Sequence, residues 1–535
     1  MQKSFKYIPL LISVAIAAGI FIGSKLNFGD TTEKIFATNS KKDKLNRLID
    51  YIDFEYVDRI NTDSIVDVTV NSILKNLDPH SVYIPVSDYE AVADDMRGKF
   101  VGIGVSFYIY KDTVSVISTI DDGPAEKSGI KAGDRILFAD DKPLFGEFSN
   151  RDSIVASLRG ELNSRVNLTI FRNSEKKEMK FKLTRKEVPI KSVDAGFKIN
   201  EELGYIKVNR FAETTNDEFR ESLKELVNQG ISTLILDLRD NPGGYVFAAE
   251  RMLDELLPKG TLLLKTKNKA GVVENTVSKR NGLFENGKVY VLVNENSASA
   301  SEIVAGALQD NDQGIIVGRR TYGKGLVQRE MALGDGSAVR LTVARYYTPT
   351  GRSIQRPYVN GDQTYFKNYQ ERYNNGELIS ADSIAVNDSL RYVTPKGKVV
   401  YGGGGILPDI FVAKDLTEEG EIISYISQSG LLNYFVFEQL DKNRNLFETF
   451  TPEEFFENYE VPDELLDEFI FYSRLIETNF QLHGYESLMK THLKATIAQQ
   501  LFGSDYYDRI LIQKDVMIDK VLELEYPEEV QNEDY

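Results

Sequence analysis

Three serines at alternate positions, Ser297, Ser299 and Ser301, stand where an apolar run ends and a helical pattern begins. Residues 289–293 (VYVLV) read as a buried strand, while Ile303, Val304, Ala307 and Leu308 recur at spacings of three and four. A strand, a tight turn and a helix start expose a hydroxyl and set the next amide at the positive end of a helix. That arrangement suits attack on a carbonyl, although a serine capping an ordinary helix would leave the same trace. A hydroxyl also needs a base. The chain has no cysteine and three histidines, His80, His483 and His492, none near the turn in sequence, which shifts weight to lysine. Lys324, flanked by Gly323 and Gly325, follows a second apolar run at 314–317. Lysine acts as a base only when neutral, and burial would lower its pKa from about 10.4. A third element is the turn 239–244 (RDNPGG) after the apolar run 233–238; its glycines let a backbone N–H approach a substrate closely, and a plain tight turn is the simpler reading of it alone.

These groups must be positioned by a chain of 535 residues, enough for roughly three or four domains. With 42% hydrophobic and 27% charged residues it has ample core-forming material. A net charge of −17 without a basic stripe argues against nucleic-acid binding. The lack of cysteine excludes disulfides, thiolate nucleophiles and Cys-ligated metals. Lys3 and Lys6 precede an uncharged stretch, residues 7–24, at the lower length limit for a spanning helix. Its Ala15-Ile16-Ala17 lies inside the apolar run, so an uncleaved anchor is expected in preference to a cleaved signal. Positive residues before the span place the N-terminus in the cytoplasm and the body outside it.

Residues 1–27 are therefore read as the anchor or signal, and 28–97 as a helical N-terminal segment broken at DPHSVY, with His80 a structural loop residue. Residues 98–187 alternate like paired strands around GIKAGDRIL and resemble a PDZ domain. In that reading Gly102, Ile103 and Gly104 form a nest for a C-terminal carboxylate, and an extended peptide adds to the adjacent sheet edge. Residues 188–415 alternate helices with apolar strands, an α/β layer. Within them, 356–400 is a polar, Tyr-rich insertion that could cover the site, mediate oligomerisation or form a surface lobe. Residues 416–535 form an acidic helical extension whose Phe and Tyr recur at core spacings.

The order of DPHSVY, the PDZ-like module, DLRDNPGG, SASASE, YGKGLVQ, YYTPTGRSIQ and GGGGILPDI resembles the carboxyl-terminal processing peptidases, or tail-specific proteases. These are S41-family serine peptidases with a Ser–Lys dyad, and the match runs over residues 77–410. The resemblance implies a multidomain α+β chain with an α/β core of the ClpP/crotonase-like type. It implies Ser299 as nucleophile, Lys324 as base, Gln328 orienting the lysine, and the amides of Gly243 and Ala300 as oxyanion donors. Ser297 and Ser301 are left as turn caps, and Glu302 as a residue favourable at a helix N-terminus. No metal or cofactor is expected. The partners expected are protein substrates held by their C-termini and the inner membrane, with a homo-oligomer or adaptor left open. The body is expected in the periplasm, tethered by a single pass or, if the segment is cleaved, soluble there. A PDZ scaffold with an inactive peptidase fold and a hydrolase of small esters are the competing readings.

Overall fold

The computed structural model describes residues 40–148, 150–173, 175–359, 363–447, 449–475 and 484–527. The apolar stretch 7–24, and with it the expected anchor, lies outside these residues, as does His483. Among the described residues no helix is long and apolar enough to cross a membrane.

The chain divides into two units, one ending at Asn76 and one starting at Leu77. In the first, helices Ser40–Glu55 and Thr62–Lys75 are joined by a short turn, and the Asn61 side chain caps the second by accepting the Ser64 N–H. This division falls inside the helical segment expected over 28–97. Residues 77–97, including helix Val86–Arg97, belong to the second unit.

The PDZ-like module carries strands Val105–Tyr110, Thr113–Thr119, Asp134–Ala139, Arg165–Arg172 and Lys177–Thr184 in that spatial order, with Lys142–Pro143 to one side. Helix Arg151–Leu158, capped by Asn150, sends Ile154 and Leu158 into a core with Val114, Ile136, Val166 and Ile170. Val105–Tyr110 is an edge strand, and its period of two points Val105, Phe107 and Ile109 towards that core. Tyr108 and Tyr110 point the other way, onto Phe437. The Gly102-Ile103-Gly104 loop sits beside the short helix Pro124–Lys127, with the Ala125 N–H donating to Ile103 O.

The next layer is a six-stranded sheet in the order Val193–Lys198, Leu203–Val208, Thr233–Asp237, Lys288–Val293, Ile315–Gly318, Ile410–Phe411. Its first pair is antiparallel and the rest parallel. Both faces are covered, which explains the near-continuous apolar runs. Leu234, Leu236, Val289 and Val291 face helices Thr215–Asn228, Val246–Leu256 and Ala300–Asp310. Ile235, Tyr290, Leu292 and Val317 face Met517, Ile518 and Val521 of helix Val516–Glu525. Because Thr233–Asp237 and Lys288–Val293 are parallel neighbours, the Pro-Gly-Gly turn and the serine turn emerge side by side from their carboxyl ends.

A second sheet holds the hairpin Leu326–Ala332 and Ala338–Tyr347, with Val82–Ile84 and Leu262–Asn268 pairing along the latter strand. The C-terminal helices form a core of their own around Phe435, Phe455, Phe469 and Leu493. They contact both other layers. Helix Leu431–Phe447 lays Tyr434 against Tyr108 and pairs Asp441 with Arg135 at 2.7 Å, while Lys207 of the peptidase sheet pairs with Asp508, also at 2.7 Å.

Candidate active site

Ser299 is the residue before helix Ala300–Asp310, at φ 57° and ψ −110°. A non-glycine residue rarely holds positive φ, so the surroundings must impose it. Two groups do. Glu302 Oε2 accepts the Ser299 N–H at 2.9 Å, and the Tyr346 hydroxyl donates to Ser299 O at 3.1 Å. The flanking serines are fully buried and spent on the fold: Ser297 Oγ donates to Leu238 O at 2.8 Å and Ser301 Oγ to Asn241 O at 2.9 Å. Ser299 lines a cleft of about 740 Å³, together with Lys324, Gln328, Pro242, Gly243, Gly244 and residues of helix Val86–Arg97.

Lys324 faces the same cleft from the loop before strand Leu326–Ala332. Burial, and then the Arg340 guanidinium, push its ammonium below the ordinary lysine value, while Glu302 and Asp78 pull the other way. Its Nζ donates to Gln328 Oε1 at 2.9 Å. Gln328 Nε2 donates in turn to His80 O, so the amide can present only its oxygen to the lysine. Among the described residues no hydrogen bond joins Ser299 Oγ to Lys324 Nζ.

The two turns are laced together. Asp240 Oδ1 accepts from the side-chain amides of Asn294 and Asn296, and Asn241 O accepts the Ala298 N–H at 3.0 Å. The Ala300 N–H has no acceptor among the described residues, but the Gly243 N–H donates to Asn241 Oδ1 at 2.9 Å. Only Ala300 of the two expected donors therefore presents a free amide in this conformation. Glycine at 243 is required by contact as well as by its φ of 98°, since a Cβ there would lie 2.8 Å from Ser299 Cβ and 2.9 Å from Ala300 N.

Glu302 does more than favour a helix start. Its buried carboxylate accepts from Thr321 Oγ1 at 2.6 Å, Gly323 N at 2.7 Å, Lys324 N at 2.8 Å and Ser299 N. Burial raises its pKa and the four donors oppose that rise. Tyr346 repeats the tie, its one hydroxyl hydrogen shared between Lys324 O at 2.8 Å and Ser299 O at 3.1 Å. The sequence marks Glu302 only as a residue favourable at a helix N-terminus, and nothing local signals that its carboxylate holds a loop about twenty residues on.

His80 lies behind the lysine. Its Nε2 is 3.0 Å from Tyr365 Oη, its ring stacks edge-on with Tyr322 and Tyr365, and burial followed by Lys324 holds its pKa down to about 3. The insertion packs there too. Arg372 donates to Arg320 O at 2.7 Å and Thr321 O at 2.9 Å, and the Arg356 guanidinium lies 3.9 Å above the Tyr365 ring. Of the three roles left open for the insertion, these contacts add a fourth, bracing the lysine loop from behind. Among the described residues no cluster of three or more metal-ligating groups occurs.

Comparisons with known proteins agree with this architecture. The pattern of peptidase family S41 matches residues 202–365, that of a PDZ domain residues 101–183, and that of a family of unknown function residues 422–503. The "Carboxy-terminal-processing protease" of Bartonella bacilliformis is 31% identical over 380 residues, covering 69% of this chain and 86% of that protein. The "Probable CtpA-like serine protease" of Staphylococcus aureus strain MRSA252 is 30% identical over 373 residues, covering 68% and 73%. Among solved structures, the photosystem II D1 C-terminal processing protease is 26% identical over 70% of this chain and 87% of that one, with a TM-score of 0.36. The chain belongs to peptidase family S41 and is a C-terminal processing serine protease carrying a PDZ domain.

Proposed function

We propose that Ser299 and Lys324 form the catalytic dyad, with Gln328 orienting the lysine. The observation that carries this reading is their shared cleft: the strained Ser299 turn and a desolvated Lys324 face it together, and Glu302 and Tyr346 tie their two loops. Neutral Lys324 takes the Ser299 proton, Ser299 Oγ attacks the scissile carbonyl, and the lysine returns the proton to the leaving amine. The Ala300 amide and the Gly243 amide, once released by Asn241, hold the oxyanion; a donor of this kind contributes about 3–4 kcal/mol. In this reading substrate binding turns the lysine amine from Gln328 to Ser299.

The PDZ module selects the substrates: Gly102, Ile103 and Gly104 receive the terminal carboxylate and the edge strand Val105–Tyr110 receives the tail as an added strand. The uncharged stretch 7–24 behind Lys3 and Lys6 supports a single-pass inner-membrane tether with the body in the periplasm. Cleavage of one peptide with a free or an amidated C-terminus tests the selection, and wild-type rates on both would overturn it. Fractionation of cells tests the tether; a protein wholly in the soluble periplasmic fraction would mean that the segment is cleaved.

A further inference from the structure

The second face of the peptidase sheet is closed by helix Val516–Glu525. Its cap, Asp515, divides its carboxylate between two tasks. Oδ1 accepts the N–H groups of Met517 at 2.9 Å and Ile518 at 3.4 Å, and Oδ2 accepts from Arg239 Nη1 at 2.6 Å. Arg239 belongs to the turn that carries Gly243. Its Nε lies 3.0 Å from both Asp237 oxygens and its Nη2 donates to Asp237 Oδ2 at 2.6 Å. The guanidinium is thus folded beneath the turn and spans two carboxylates, one at a strand end and one at a helix cap.

What lies beyond Arg239 is the serine turn itself. Asn241 O accepts from Ala298 and Ser301, and Gly243 approaches Ser299 within van der Waals contact. A displacement of the turn has no slack to absorb it and is passed to the nucleophile. The far end of the same helix is held separately, by Glu525 against Lys288 and Tyr290. The Asp515 contact is therefore not needed merely to dock the helix.

We propose that Asp515 is a positioning residue for the peptidase reaction, fixing through Arg239 the 240–243 turn against Ser299. The proposal rests on the reading of Ser299 as nucleophile and of this turn as its oxyanion partner. It makes the end of the helical extension a support of the catalytic centre. An arginine suits the role because its planar fork holds two carboxylates in one fixed geometry, whereas an ammonium is a point charge with rotating donors.

Asp515→Asn keeps the capping ability and the shape but removes the charge. The full chain carrying it is compared with Glu525→Gln, which loosens the same helix away from the turn. With a tail-bearing peptide, Asp515→Asn lowers kcat about 10-fold or more at unchanged KM, since small misplacements at a reacting centre are costly. It weakens inhibition by a peptide boronate, which forms a tetrahedral adduct, by a similar factor; Glu525→Gln changes neither. Wild-type kcat and boronate affinity in Asp515→Asn, or equal losses in Glu525→Gln, would overturn the proposal. Arg239→Lys provides the same test should Asp515→Asn fail to fold: it loses kcat selectively, and wild-type kcat there also overturns the proposal. Ser299→Ala separates the two levels. If it cleaves at the wild-type rate, the reading of the site falls; if it is inactive while Asp515→Asn behaves as wild type, only this inference does.

Discussion

Glu302 accepts the backbone N–H of Lys324 at 2.8 Å with the same oxygen that accepts the N–H of Ser299 at 2.9 Å. One carboxylate oxygen thus sets the distance between the nucleophile's turn and the base's loop. The buried charge is tolerated because four donors replace its water. Its side-chain charge also acts on the lysine, favouring the ammonium that the surroundings otherwise suppress.

Glu302→Gln keeps the size but turns an NH2 group towards backbone N–H donors. The mismatch should cost about 1–3 kcal/mol of stability, as for other buried groups left unpaired, and lower kcat by about 100-fold or more through the displaced loops. Residual activity should persist to lower pH than in the wild type, because loss of the negative charge favours neutral Lys324. Thermal melts and a pH–rate profile check both; a profile shifted to higher pH contradicts the account.

Activity should rise with pH as Lys324 deprotonates. Burial and Arg340 both lower its folded-state pKa, so the folded protein binds fewer protons here than the unfolded chain. This group's contribution to stability therefore grows as pH rises from the folded pKa towards the unfolded value. Arg340→Gln removes one depressing charge and should move the rate profile to higher pH. An unchanged or acid-shifted profile would show that Arg340 does not act on the lysine. A chelator should leave the wild-type rate unchanged.

Acidification should loosen the helical extension. His492 is half-buried beside Ser427, and desolvation lowers its pKa to about 4; His80 is held at about 3. Both resist protonation when folded, so stability falls as pH drops below about 6.5. By pH 4.5 each should cost about 3 kcal/mol, at about 1.4 kcal/mol per pKa unit. Asp508, raised to about 6 by burial, works in the opposite direction, so the contrast is best read by difference. His492→Gln should flatten the fall in Tm between pH 7 and 4.5, and an identical slope would rule His492 out as a cause.

The insertion should not be dispensable. Arg372→Met leaves the carbonyls of Arg320 and Thr321 without their donor, while Glu377 keeps its pairing with Arg320. A buried acceptor left without its donor costs about 1–3 kcal/mol. The lysine loop should loosen, seen as faster amide exchange at 321–325 and reduced kcat. Exchange rates equal to wild type would return the insertion to a surface role.

Much of this site was legible because its parts are local. The serine turn sits where a continuous apolar run becomes a helical pattern, and Lys324 stands between glycines after the next apolar run, but the choice of Ser299 among the three serines came from the family resemblance. Gln328 was accessible only through the family resemblance, since its role depends on His80 O from a segment nearly 250 residues earlier. Glu302 reads from the sequence only as a residue favourable at a helix N-terminus, for the donors at Thr321, Gly323 and Lys324 arrive through the fold. Tyr346 and Arg340 lay in a strand whose pairing no local pattern reveals. Helix Val86–Arg97 has ordinary helical spacing, so no local pattern sets it apart from the helices before it; its place in the second unit comes from neighbours such as Arg159 and Arg210, which pair with its Asp94 and Asp95. The Asp515–Arg239 pair joins residues 276 apart, beyond any motif.

The central claim is that Ser299 and Lys324 act as one unit. Its most direct test is the single-turnover cleavage of a tail-bearing peptide by wild type, Ser299→Ala, Lys324→Ala and the double variant, at one pH and with a chelator present. The account predicts that wild type cleaves, that each single variant loses about 1,000-fold or more, and that the double variant is no worse than either, since residues acting as a unit are not additive. Cleavage by either single variant at the wild-type rate would contradict it.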